Sequence, residues 1–216
     1  MSNLIKNYYM SNIGFILLLI ASMGDIIIPF LIAPFCKHYN HFTMVMSSLG
    51  NQKYVTHYLY SAWLIFAGIL FIIGGLKLYT IYVDVSTVWA TCLLVAIVVY
   101  AIGGCILSGI FPVGETKEMI TMPEKIHGYG SVIGFFLLLF VPLIIGILSI
   151  QSKEIGVGII SIICFVLAII FFVLFVMADK ENFSQTIISY EGLWQRLTLF
   201  CMYIPIVIIS YNNITN

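Results

Sequence analysis

Residues 13–35 read IGFILLLIASMGDIIIPFLIAPF, an apolar run with a single carboxylate, Asp25, near its middle. About 20 helical residues cross a hydrocarbon core, so this run is long enough to span a membrane. A cleaved leader is the competing reading, because Lys6 precedes the run and small residues sit at Ala21, Ser22 and Gly24. The run resumes after Asp25 as IIIPFLIAPF and so outlasts the apolar core of about 7–15 residues that a leader carries. The first span is therefore expected to stay in the chain.

Five further runs of the same kind follow, at about 55–76, 88–111, 128–150, 155–178 and 192–211. With 62% hydrophobic and 8% charged residues, the composition is that of an integral membrane protein. The runs are continuous and lack the alternation of a lipid-facing barrel strand. The expectation is an all-α, polytopic bundle of six transmembrane helices forming one domain over residues 1–216, with no separate soluble part.

Six spans put both termini on one side, with Lys6, Lys77 and Lys153. The opposite side, with longer loops, carries Lys37, Lys53, Lys117, Lys125 and Lys180 beside six acids, Glu115, Glu118, Glu124, Asp179, Glu181 and Glu191. The terminal side is left slightly net positive, which favours cytoplasmic termini and a plasma-membrane location. Tyrosines and tryptophans near the run ends fit interfacial belts. Cys92, Cys105, Cys164 and Cys201 fall inside spans and Cys36 near an interface, without C-x-x-C spacing, so they read as small packing residues.

The unusual polar residues gather at the long-loop end. His38 and His41 lie in the first loop, His57 opens the second span, His127 opens the fourth, and Arg196, the only arginine, lies about one turn into the sixth. A charge deep in a bilayer costs on the order of 3 kcal/mol and must find a partner inside the bundle. Asp25 is thus the first candidate, and an ion pair with Arg196 is the expected answer to it. Pro29 frees the Asp25 carbonyl from its helical donor, and Pro34, Pro142 and Pro205 do the same to other carbonyls in spans one, four and six. His127, Ser131 and Gly134 share a helix face, Gly130 and Gly134 form a G-x-x-x-G pair, and Gly104 with Ser108 is a small-xxx-small pair. Such pairs serve contacts within one bundle as well as between two, so the oligomeric state is open.

Other chemistries are weakly signalled. A zinc site from the four histidines lacks an H-E-x-x-H context and a supporting carboxylate. A hydrolase built from Ser48 or Ser131 with His127 and Asp25 lacks the G-x-S-x-G elbow. No phosphate loop or dinucleotide fingerprint is present, so neither metal nor cofactor is expected, nor a nucleic-acid partner.

The ordered set of motifs resembles a known family. Asp25 with Pro29, SSLG at Ser47 to Gly50, SGIFP at Ser108 to Pro112, His127 opening the fourth span, and EGLWQRL at Glu191 to Leu197 are similar to the six-helix "domain of unknown function nine-nine-eight". A more distant likeness is to the DRAM-like modulators and the lipid-remodelling factors of GPI anchor maturation, which implies a lipid-linked role. The family resemblance implies a common site at Asp25, Ser48, Gly50, Pro112, His127 and Arg196, and the residues themselves add His57. The leading expectation is a protein that binds a membrane lipid or other amphiphile, its head group near Asp25, His127 and Arg196. The alternatives are a lipid enzyme with His127 as general base and a small transporter in which Asp25 titrates.

Overall fold

In the computed structural model, residues 2–114 and 118–215 are described, with side chains from residue 12 onward. Glu115, Lys117 and the Lys6 side chain, which entered the charge comparison, lie outside the described residues. Six helices are long and apolar enough to cross a membrane: Asn12–Phe35, His57–Tyr82, Thr87–Ile110, Met122–Gln151, Ile155–Met177 and Glu191–Thr215. The protein is an all-α, multi-pass membrane protein, with no strand among the described residues.

The boundaries differ from expectation where hydrogen bonding outruns hydropathy. The second helix continues past Lys77 to Tyr82, whose hydroxyl is 3.2 Å from Ser149 Oγ in the fourth span. The fourth starts early because a capping box closes its end: Glu124 N donates to Thr121 Oγ1 at 3.4 Å, and Thr121 N donates to the Glu124 carboxylate at 2.8 Å. Pro142 then splits this span, with Met122–Leu138 ending before it and Val141–Gln151 beginning around it. A proline lacks the N–H that an unbroken helix would need there. Pro29 and Pro205 lie inside helices that continue, and Pro34 sits in a 3-10 turn, Ala33–Phe35.

The third span changes character midway. It is α-helical over Thr87–Val99, π-helical over Tyr100–Leu107 and α-helical again over Ser108–Ile110. π turns are rare and gather at functional sites.

Each span packs against its neighbours in sequence, and the sixth closes back on the first, giving a ring around one core. Phe15, Leu18, Phe71, Ile97, Ile145 and Met202 are fully enclosed there. Because lipid tails are as apolar as leucine, close backbone approach through small residues supplies much of the adhesion. The G-x-x-x-G pair serves this purpose within the bundle. A Cβ on Gly103 would collide with the Gly130 carbonyl oxygen, and one on Gly134 would lie 2.8 Å from Gly104 N. The fifth span is the least enclosed, with 17% of its central window buried.

Candidate functional site

Asp25 is 2% exposed and has no guanidinium or ammonium partner among the described residues. Its Oδ2 instead accepts from Tyr203 Oη at 2.7 Å and from Tyr100 Oη at 3.0 Å. The two phenol oxygens are themselves 2.6 Å apart, and since each phenol has one proton, a hydroxyl that donates to the other does so in place of Oδ2. Phe71 stacks on Tyr203 at 5.7 Å and meets Tyr100 edge-on at 5.5 Å, which fixes both rings. The other carboxylate oxygen, Oδ1, is buried without a hydrogen-bond partner in the protein. Trp63 is adjacent, its ring across Gly24, and its indole is the nearest further donor to Asp25, although its Nε1 falls short of hydrogen-bond geometry. A native structure seldom leaves such an acceptor empty.

Asp25 opens onto a chamber of about 80 Å³, lined also by Ser47, Tyr60, Tyr100, Ser108 and Gln195. Ser47, Ser131, Phe135 and Gln195 line in addition a groove of about 400 Å³ between the fourth, fifth and sixth spans. The groove is walled by Phe136, Phe172 and Phe175, and Phe135 stands 6.0 Å from Phe172 and 5.9 Å from Phe175, ring centre to ring centre. Val132 and Phe136, on its outer edge, are exposed, so it faces the side that lipid covers. An apolar groove thus meets a polar chamber at four side chains.

The family model described as "Protein of unknown function (DUF998)" matches residues 19–211, nearly the whole chain. The chain belongs to this family. No curated protein and no solved structure matches it. The family match covers every motif quoted above, while the wider likeness to DRAM-like proteins stays an expectation.

In this DUF998 protein the motifs divide between cavity and scaffold. Of SSLG, it is Ser47 that faces both cavities, whereas Ser48 lines neither and closes a local turn through its backbone. Gly50 is buried against Tyr60, to which a Cβ would come within 3.4 Å. In SGIFP, Ser108 Oγ donates to the Gly103 carbonyl at 3.1 Å and lies 2.8 Å from Ser131 Oγ. Pro112 favours an extended Phe111 (φ −106°, ψ 105°), whose carbonyl meets His127 Nδ1 at 2.8 Å. A carbonyl only accepts, so Nδ1 carries the proton and Nε2 of the neutral ring is an acceptor. His127 is 6% exposed and lines the groove, but it shares no hydrogen bond with Asp25. No direct hydrogen bond joins the acid and base of the enzyme reading, which allows either direct contact or one bridging water. His57 bonds its own loop, Nδ1 to Tyr54 O at 2.8 Å, and lines neither cavity.

Arg196 departs most from expectation. Its Nη1 donates to the carbonyls of His41 (2.7 Å), Met44 (3.2 Å) and Gly192 (2.7 Å), and its Nη2 donates to Tyr39 Oη. The reason it misses Asp25 is depth. Asp25 lies about 15 Å from the long-loop end of its helix, and Arg196 about 7.5 Å from the start of its own. The guanidinium therefore fastens the first loop to the sixth span. Gly192 allows that loop to come close, since a Cβ there would collide with the Met44 and His41 carbonyl oxygens. Gln195 completes the junction by accepting from Met46 N at 2.7 Å.

His38 occupies a turn with φ 66°, and His41 stacks on Phe30 at 4.4 Å. Burial, followed by the nearby Arg196 charge, lowers the His41 imidazole from its ordinary value of 6.5. Burial raises the Tyr39 phenol, with Arg196 pulling it back. Among the described residues no three His, Cys, Asp or Glu side chains come together as a metal centre would require.

Tyr100, Tyr203 and Ser47 are the site residues that the sequence reading passed over. The two tyrosines sit about 10 and 12 residues from the long-loop ends of their helices, at the depth of Asp25 and away from the interfacial belts. That shared depth was the available signal.

Proposed function

We propose that this DUF998 protein binds a membrane amphiphile, with its apolar chain in the groove and its polar end at Asp25. What supports the reading is the junction of an aromatic-lined groove with a chamber lined by the buried Asp25, whose Oδ1 makes no hydrogen bond among the described residues. Ligand sites have this character, mostly apolar with a few convergent polar groups. The head-group role expected of Arg196 moves to Asp25, with His127 at the groove wall. The orientation that accompanies this reading is termini in the cytoplasm, from the charge balance of the loops.

The test is native mass spectrometry of the protein extracted in mild detergent, wild type beside Gly128→Trp, which fills the groove from the fourth span. A co-purified lipid or amphiphile in the wild type, reduced at least several-fold in the folded variant, is the expected result. Equal occupancy in both proteins, or none in either, would overturn the proposal.

A further inference from the structure

We infer that the head group taken at Asp25 is a protonated amine, carried on a single alkyl chain. This rests on the amphiphile reading and adds its chemistry.

Three observations lead to it. The first is the unneutralised acid: Asp25 is 2% exposed, its hydrogen-bond donors Tyr100 and Tyr203 are neutral and serve only Oδ2, and Oδ1 has the neutral Trp63 indole nearby without a full hydrogen bond. The second is charge. The chamber holds Asp25, the groove holds Glu118, Glu124 and Glu191, and among the described residues no lysine or arginine lines either. A phosphate or carboxylate head would meet a like charge in a place of low dielectric, where such repulsion is strong. Arg196, the residue best suited to an anion, turns both Nη groups to loop carbonyls and Tyr39. The third is fit. An ammonium has three donors and no acceptor, and besides Asp25 the chamber is lined by the polar side chains of Ser47, Tyr60 and Gln195. At about 80 Å³ the chamber admits a small head. At about 400 Å³ the groove is near the lower end of ligand pockets, which suits one chain rather than two.

The full-length protein in a non-ionic detergent would be titrated with dodecylamine, dodecyl phosphate and dodecanol, with occupancy read by native mass spectrometry. The amine should bind roughly tenfold or more tightly than the phosphate, with dodecanol between them. Asp25→Asn should reduce the amine-to-phosphate ratio to within about threefold. Since that variant can also lose stability, Ser47→Phe, which closes the junction from a loop, provides a second reading with the same expected loss. Equal binding of all three, a preference for phosphate, or an amine preference that survives in both folded variants would overturn the amine and leave amphiphile binding in place. Failure of all three probes to bind the wild type would overturn both.

Discussion

Asp25 and Arg196 are the two charges of the bundle that a sequence reader would join, and the structure gives them opposite occupations. Arg196 has both Nη groups engaged by oxygens of its own chain, three of them backbone carbonyls. Asp25 lines a chamber, with one oxygen held by two phenols and the other left without a full hydrogen bond beside the Trp63 indole. A group that is nearly satisfied within the fold holds the fold together, whereas one that the fold leaves incomplete is available to a ligand. Arg196 Nε is itself buried without a hydrogen bond among the described residues, so what separates site from scaffold is the chamber, which Asp25 lines and Arg196 does not.

The contrast can be broken most severely at Gly192. Gly192→Ala places a Cβ against two backbone carbonyls that cannot swing aside, and it should lower stability by about 3 kcal/mol in detergent-induced unfolding. An unchanged unfolding midpoint would show that the first loop is not clamped to the sixth span. Arg196→Leu should cost about 2 kcal/mol, since its loop carbonyls lose their donor, while amphiphile occupancy in the folded fraction stays at the wild-type level. Lost occupancy with wild-type stability would reverse the two occupations. Tyr203→Phe should cost only about 1 kcal/mol, because Tyr100 can still reach Oδ2, but should weaken ligand binding measurably.

The smallest effect is a pH dependence at the clamp. The folded state holds the His41 imidazole below 6.5, so the unfolded chain takes up that proton first as pH falls. Its contribution is complete above about pH 6.5 and is lost as pH drops from there through the lower folded value. The melting temperature at pH 7.5 should exceed that at pH 5.5, and His41→Phe, which keeps the stack on Phe30, should narrow the difference. A wider gap in the variant would count against this.

Span number, order and approximate limits were legible because hydropathy over about 20 residues is an averaged property and tolerates local error. The depth of Asp25 was legible by counting from the helix end. Its partners were not, because a mid-span tyrosine looks like any other bulky apolar residue until a neighbour gives its hydroxyl a purpose. The ion pair was misjudged because the long Arg196 side chain was allowed to reach inward without weighing the loop carbonyls that capture it first. Ser47 rather than Ser48 lines the cavities, an offset of one residue in a 3-10 turn, where the facing residue cannot be read from α-helical periodicity.

The π-helical stretch Tyr100–Leu107 lies between the residue that holds Asp25 and the one that bonds Ser131. Each half of the third span therefore keeps its own rotational frame, and the stretch sets the offset between them. Losing one residue from it would leave the hydropathy profile and the six crossings unchanged, yet would turn Ser108 and Gly109 about 100° relative to Tyr100. In this fold a silent-looking deletion at that point leaves the topology intact and rearranges the side chains around Asp25.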